Sequence, residues 1–463
     1  MRLTPPEPEI PKEGFTESND IFGYRPFAER LANLVQNIDE PLVIALDAPW
    51  GSGKSIFVKQ WAGLVRSRGA TVIEFDAFRS DHYEDAFLAI SADVHATAKK
   101  QLGGNETTTR KFLSRAKKVG VALSPMMARV TARVGTAGFL SLEDVEASGE
   151  ALKAAAKAIG DESAKALEKA VSDRLRKANE ERAVLDVFRE SLSELASKLA
   201  ESTAETSGEY PLVVIVDELD RCRPPFALSV IERIKHLFSV PRVCFILVTH
   251  LPQLEQSVQG AYGTTFDAHT YLEKFYQIRL TLPAAENISV RQSATYIEHL
   301  WNALGIGFAD ENLGGPVMRA IQELAELHNL SLRRIERVMA NVALASAAAA
   351  PNQLLVPSLV AGLCVMRQTH PELYKKAQSQ EFNWTDARRF LTGVEPDVDT
   401  GGHAGVLQFE FVRNWWEFAA GKSISDGELG RFMSILSNYN VHERTHLLPL
   451  MTRYIDSLAQ RNE

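Results

Sequence analysis

A run of five apolar residues, Leu42–Val43–Ile44–Ala45–Leu46, leads into the glycine-rich stretch Trp50–Gly51–Ser52–Gly53–Lys54–Ser55, and Ile56 to Arg66 continue with helical spacing. An unbroken apolar run of this length predicts a strand buried on both faces, so the chain reads strand, tight turn, helix. In that context backbone N–H groups at the helix N-terminus cradle phosphates, where the helix dipole favours anions. Lys54 is expected to reach the β- and γ-phosphates of a nucleoside triphosphate, and the Ser55 hydroxyl to hold magnesium. The binding segment predicted on this basis is Pro49, Trp50, Gly51, Ser52, Gly53, Lys54, Ser55 and Ile56. Ala48 stands where the full G-x-x-x-x-G-K-S pattern has its first glycine, and alanine is small enough for the turn. The bland alternative, a chance Gly-Ser-Gly-Lys-Ser in a flexible loop, does not account for the strand before it.

A second motif follows downstream, Leu212–Val213–Val214–Ile215–Val216–Asp217–Glu218. An acid at the end of a buried strand in such a fold binds magnesium, usually through water, and Asp217 is the expected ligand beside Ser55. Glu218 is the expected general base, polarising a water for attack on the γ-phosphate. The competing reading of either acid is a strand end facing solvent. A further strand, Val243 to Val248, ends in Thr249–His250; where such a strand lies between the two motif strands, a polar residue there contacts the γ-phosphate or the water. Thr249 or His250 could make that contact, Thr249 being the choice, against a capping threonine with an incidental histidine. Apolar runs Thr71 to Phe75 and Gln277 to Leu282 complete the strand set. Strands alternating with helices predict an α/β fold with a parallel sheet core.

The expected organisation is a polar, proline-rich leader over residues 1–19 and a P-loop core over 20–98 and 209–283. A helical insertion occupies 99–208 between the two nucleotide motifs, a helical region 284–393, and a last helical segment 394–463 after the Gly/Asp stretch Val394 to Gly405. The insertion is charged and alanine-rich, too long for a plain loop, and its last helix carries Val184, Leu185, Phe188, Leu192, Leu195 and Leu199 on one face. It is expected to project from the sheet. Val119 to Leu142 carries Arg129 and Arg133, each unfavourable by about 3 kcal/mol at a bilayer centre. Val338 to Met366 is broken by Pro351, Asn352, Gln353 and Pro357, which predicts helix, turn and buried helix in place of a membrane span. With a formal net charge of -8, three widely separated cysteines and no basic-then-apolar start, the chain reads as cytoplasmic, without a disulfide framework, a zinc site, a secretory signal or a nucleic-acid coat. The local basic cluster Arg110, Lys111, Arg115, Lys117, Lys118, Arg129 and Arg133 reads as a solvated helix face, with phosphate backbones or anionic headgroups as the alternative. The aromatic group Phe409, Phe411, Trp415, Trp416 and Phe418 reads as core.

Several segments together resemble the KAP P-loop NTPases, a group that includes a neuronal membrane scaffold and a plasmid-borne phage-exclusion protein. They are Pro49–Trp50–Gly51–Ser52–Gly53–Lys54–Ser55, Phe75–Asp76–Ala77–Phe78, Asp217–Glu218–Leu219–Asp220–Arg221–Cys222, Tyr271–Leu272–Glu273–Lys274–Phe275 and Leu332–Arg333–Arg334–Ile335, covering roughly residues 20 to 345. The tryptophan before the phosphate loop and the Asp-Arg-Cys ending are the specific marks. The resemblance implies ATP binding and hydrolysis with magnesium on a STAND- or AAA-like sheet, coupled to assembly of a homo-oligomer. Comparison with such ATPases places adenine near Asp20 to Arg25 and a γ-phosphate arginine at Arg333 or Arg334; Arg334 is the choice, against an arginine on a solvated helix face. The departures are Ala48, Thr249–His250 where the family more often has an aspartate, and a polar insertion where many relatives carry transmembrane helices.

The leading expectation is therefore an ATP-hydrolysing switch or motor in defence against phage or other mobile DNA, that setting resting on the resemblance alone. A nucleotide-gated scaffold with little turnover, its insertion serving as a surface for a partner protein or nucleic acid, is the second. The third is a phosphotransferase on a small acceptor, which lacks a recognisable arginine-rich lid.

Overall fold

The computed structural model describes residues 2–6, 10–17, 19–83, 85–103, 107–133, 161–203, 210–283, 290–308, 311–349, 353–392 and 410–456. Val394 to Gly405, Phe409 and the alanine run Ala151 to Ala158 lie outside these residues, as do the side chains of Arg129, Arg133 and Phe411. Five parallel strands form one sheet: β1 (Leu42–Asp47), β2 (Val72–Asp76), β3 (Leu212–Asp217), β4 (Val243–Thr249) and β5 (Ile278–Thr281), in the order β2-β3-β4-β1-β5. β4 thus lies between the strands that carry the two motifs. Because every strand runs the same way, the residues that follow β1, β3 and β4 emerge along one sheet edge, the usual place for a ligand in an open parallel sheet.

Alternate strand residues enter two cores. Ile44, Leu46, Val213, Ile215, Ile246 and Val248 face one side, where α1 (Arg25–Gln36) and α2 (Lys54–Ser67) pack. Val43, Ala45, Ile73, Phe75, Val214, Phe245 and Leu247 face the other, under α3 (Ala86–Leu102), α6 (Pro224–Arg233) and α7 (Leu251–Tyr262). The leader belongs to the first core: Phe15 is buried, and a Cβ on Gly14 would lie 2.0 Å from the Gln60 carbonyl oxygen on α2. That close approach, with φ of +80°, admits only glycine.

The insertion is helical where it is described, as α4 (Thr107–Arg133) and α5 (Asp161–Thr203), but its ends do not project from the sheet. Phe112, Ala116 and Val119 of α4 join Phe188, Leu192, Leu195 and Leu199 of α5 in the second core. The Phe188 ring lies 5.0 Å from Phe87 and 5.6 Å from Phe238. The apolar stripe read from the sequence is the reason, since an amphipathic helix must cover its apolar face; here the covering surface is the sheet layer. α3 runs unbroken through position 99, with Gln101 bonded to Thr71 at 2.9 Å and to Ser202 at 2.9 Å. In the basic cluster Lys111 pairs with Glu194 at 3.4 Å and Arg115 donates to the Val187 carbonyl at 3.1 Å, while Arg110, Lys117 and Lys118 are exposed. Among the described residues no helix is long and apolar enough to cross a membrane.

Beyond β5 the chain is helical. α8 (Val290–Leu304), α9 (Gly314–Leu327), α10 (Leu332–Ala348) and α11 (Pro357–Thr369) pack into the first core, and the described residues of Val338 to Met366 include the buried parts of α10 and α11. α12 (Pro371–Gln378), α13 (Trp384–Thr392), α14 (Glu410–Ala419), α15 (Asp426–Ser437) and α16 (Leu447–Ile455) follow. Trp416 and Phe418 are core, as expected of the aromatic group.

His328, just past α9, stacks on Phe390 at 4.8 Å and faces His370 at 5.3 Å. Burial first, then the neighbouring His370, pushes its pKa down to about 4, opposed by a hydrogen bond to the Phe390 backbone. The unfolded chain takes up this proton near pH 6.5 and the folded chain does not. The associated stability is therefore complete above about pH 6.5 and falls by about 3 kcal/mol as the pH drops towards 4. Urea unfolding across that window is expected to show this loss, and a His328→Phe variant to lack most of it; identical pH slopes would remove His328 from the account.

Candidate functional site

β1 hands the chain to the phosphate loop, in which Gly51 and Gly53 have φ of +79° and +86°. A Cβ on Gly51 would stand 3.0 Å from Arg333 Cβ, and one on Gly53 3.3 Å from Leu332 Cδ1, so glycine serves both backbone conformation and packing. Pro49, Trp50, Gly51, Ser52, Gly53, Lys54, Ser55 and Ile56 line one cleft together with Asp217, Glu218, Asp220 and Arg221 from the end of β3. The fourteen-residue α2 begins at Lys54, so its free N–H groups open into this cleft.

Lys54 is buried, its ammonium donating to the Ala48 carbonyl and, at 3.5 Å, to that of Pro49. Burial lowers its pKa, opposed by Asp220, Asp217, Asp47 and Glu218 in that order. A cation ringed by carboxylates and parked on its own loop is poised to exchange those carbonyls for phosphate oxygens.

Asp217 carries the other half of the chemistry. Burial raises its pKa, opposed first by the Glu218 N–H, which donates to its Oδ1 at 2.8 Å, and then by the Ser55 hydroxyl. A half-buried carboxylate bonded to a serine hydroxyl is a hard, all-oxygen donor pair. It fits magnesium, which keeps several waters and takes few protein ligands beside phosphate oxygens.

Glu218 adopts φ of +61°, a left-handed conformation rare for a residue with a side chain. Its carboxylate is ion-paired with Arg221, one turn on. Burial raises its pKa, and Asp217 raises it further, against Arg221. Backbone strain of this kind persists where the surroundings enforce it, and such positions cluster at functional sites.

The sequence model of the KAP family P-loop domain matches residues 24–348 of this chain. The chain belongs to the KAP family. It is thus a nucleotide-binding P-loop protein, and the matched span takes in the whole cleft. No curated protein matches the chain. Among solved structures it is similar to the Aeropyrum pernix ORC2 protein in ADPNP–ADP complexes, at 13% identity and a TM-score of 0.36 over 98% of each chain. A likeness of that size carries no functional weight.

Three further segments singled out from the sequence lie around this KAP cleft as follows. Arg333 and Arg334 are both exposed, and of the two Arg333 lines the cleft and Arg334 does not. The Leu332 N–H donates to the Gly51 carbonyl at 3.1 Å, which fixes the phase of α10, and one residue further the helix has turned by about 100°. Thr249 lies behind the loop: its carbonyl accepts from the Ala48 N–H at 3.2 Å, and its buried hydroxyl has no partner among the described residues. It does not line the cleft. The Asp20 carboxylate caps α1 through the N–H groups of Tyr24 at 2.6 Å and Arg25 at 3.1 Å, while the Tyr24 hydroxyl donates to the Ser52 carbonyl at 3.3 Å. The segment therefore reaches the phosphate loop through Tyr24.

Residues without an expected role also enter the site. Arg221 is one, detectable in hindsight by its i, i+3 spacing from Glu218. Tyr296 and Glu336, from α8 and α10, are two more, and nothing in local sequence marks them. The family tryptophan acquires a physical role as well: the Trp50 indole N–H donates to the carboxylate of Asp220, which is only 6% exposed, and the Trp50 ring lies 5.8 Å from His250. Trp50 thereby ties the phosphate loop to the ends of β3 and β4. Replacing Trp50 by Phe removes the donor and leaves a buried carboxylate oxygen unpaired, at a cost of about 1–3 kcal/mol. The denaturant midpoint of the variant should fall accordingly, and an unchanged midpoint would show that Asp220 does not depend on the indole.

Proposed function

We propose that this KAP protein binds ATP with magnesium and hydrolyses it, acting as a switch or motor in a homo-oligomer. The observation that carries the reading is the convergence of Lys54, Ser55, Asp217 and Glu218 in one cleft at the end of two adjacent-but-one parallel strands. In the proposed division of labour, the loop amides and Lys54 hold the phosphates and Ser55 and Asp217 hold magnesium. Glu218 takes the proton of the attacking water. Magnesium, when bound, supplies charge neutralisation at the phosphate oxygens. Arg333, facing the loop, is the arginine proposed for the γ-phosphate side in place of Arg334.

The Glu218–Arg221 ion pair favours a second element of the proposal, a low basal rate. A base engaged by its own arginine is restrained until a partner or a neighbouring subunit draws the arginine away, which brings the nucleotide-gated scaffold into the same picture. A part in defence against phage or other mobile DNA rests on the family resemblance alone. Initial rates of phosphate release with magnesium or EDTA, and with or without DNA, test the proposal. Magnesium-dependent turnover supports it, and transfer of phosphate to a small acceptor in preference to water would replace it with a kinase reading.

A further inference from the structure

Helices from beyond the sheet also line the cleft. Leu332, Arg333 and Glu336 reach it from α10, and Tyr296 from α8. Arg333 stands against Gly51, whereas Glu336 lies three residues further along α10, a rise of about 4.5 Å. The Glu336 carboxylate accepts the Tyr296 hydroxyl at 2.6 Å. Tyr296 is itself buried, with its ring 5.5 Å from Phe22, and the Phe22 carbonyl accepts from Gln292 of α8 at 2.8 Å. Among the described residues no cation is ion-paired with Glu336.

An anionic side chain in this position is wrong for a triphosphate oxygen, which it would repel. Asp217 differs, because it has Ser55 and Lys54 beside it. What a carboxylate does recognise is a neutral donor, and a nucleoside triphosphate carries its O–H and N–H donors on the sugar and the base. Tyr296 occupies part of the acceptor capacity of Glu336 and fixes the rotamer; an ionised carboxylate has about four lone-pair sites, so others remain. Leu332 and Ile56 give the cleft apolar walls against which a sugar or base can pack.

We propose that Glu336, oriented by Tyr296, is the residue that accepts a hydrogen bond from the nucleoside half of the nucleotide, a ribose hydroxyl or a base amino group. This rests on the nucleotide reading of the cleft. It makes the helical region beyond the sheet a reader of nucleotide identity, while the phosphate loop reads charge alone. Tyr296 is a positioning residue, acting only through Glu336.

The test compares ATP with inorganic tripolyphosphate, both with magnesium, by calorimetric titration of wild-type and Glu336→Ala full-length protein. ATP affinity should fall about tenfold to a hundredfold, the range for a hydrogen bond to a charged group, and tripolyphosphate affinity should not change. Tyr296→Phe should weaken ATP less and tripolyphosphate not at all. The analogues then locate the donor. If it is the ribose, 2′-deoxy- or 3′-deoxy-ATP binds wild type weakly and the difference disappears in Glu336→Ala; if it is the base, purine riboside triphosphate behaves that way. Equal losses for ATP and tripolyphosphate, or no loss for either, would overturn the assignment of Glu336 while leaving the nucleotide site intact. A wild-type protein that binds neither ligand would remove the nucleotide site and this inference together.

Discussion

The Lys54→Ala protein is expected to keep its fold and to lose nucleotide turnover down to background. Lys54 is the first residue of α2 and its aliphatic stem is buried, yet the ammonium makes its contacts only within the loop, to the Ala48 and Pro49 carbonyls. Alanine is the best helix former, so the start of α2 is not weakened by propensity. What disappears is the cation proposed to face the β- and γ-phosphates, so that Asp217, Glu218 and Asp220 lose one of the positive charges that offset them in the cleft. Charge-assisted bonds of this kind are about twice as strong as neutral ones, and here they are required both in the bound state and as charge shifts in transfer. Circular dichroism and the thermal midpoint should stay near wild type while steady-state phosphate release vanishes. Undiminished turnover by a folded Lys54→Ala protein would remove the P-loop from the catalytic account altogether.

How much of the molecule is legible in its sequence depends on how local each signal is. β1, β3 and β4 are unbroken apolar runs, and a residue at the end of such a run needs no tertiary information to be placed on the sheet edge. Gly51, Lys54, Ser55, Asp217 and Glu218 were therefore readable, and the structure brings them into one cleft. Arg333 and Arg334 were not separable, since the choice depends on which face of α10 meets the loop, and that is set by the contact of Leu332 with Gly51. Tyr296 and Glu336 are 40 residues apart on different helices, and only docking of the helical region brings them together. The insertion shows the intermediate case. Its stripe was visible as amphipathic spacing, but the partner surface of Phe87, Phe238 and Phe245 is assembled from three separate parts of the chain, so the stripe alone could not say that the helix lies on the sheet layer. The family resemblance narrowed the chemistry without supplying any of these long-range pairings.

Glu218→Gln is expected to separate binding from hydrolysis. Glu218 directly follows Asp217, the acid proposed for magnesium; its N–H donates to Asp217 Oδ1 and its side chain lines the cleft, ion-paired with Arg221. Glutamine keeps the size and can still hydrogen-bond, but it cannot accept the proton of the attacking water, and loss of a general base lowers the rate by about 10²- to 10⁴-fold. The ion pair with Arg221 is also lost, which leaves an additional cation free in the cleft and, if anything, strengthens the hold on phosphates. Nucleotide affinity should therefore be kept or improved while single-turnover hydrolysis collapses, so that the variant accumulates in its ATP-bound form and, if assembly follows nucleotide state, as the assembled form in light scattering. Asp217→Asn should do the reverse, weakening the magnesium-dependent part of binding, because it alters the carboxylate that Ser55 supports. A Glu218→Gln protein that hydrolyses ATP at the wild-type rate would move the base elsewhere. Asp220 is then the first alternative, and its engagement with the Trp50 indole means that a base at Asp220 must first be released from that contact, so the Trp50→Phe variant would hydrolyse faster than wild type. With Glu218 as the base, the same variant has no reason to gain rate, and the two substitutions together decide between the carboxylates.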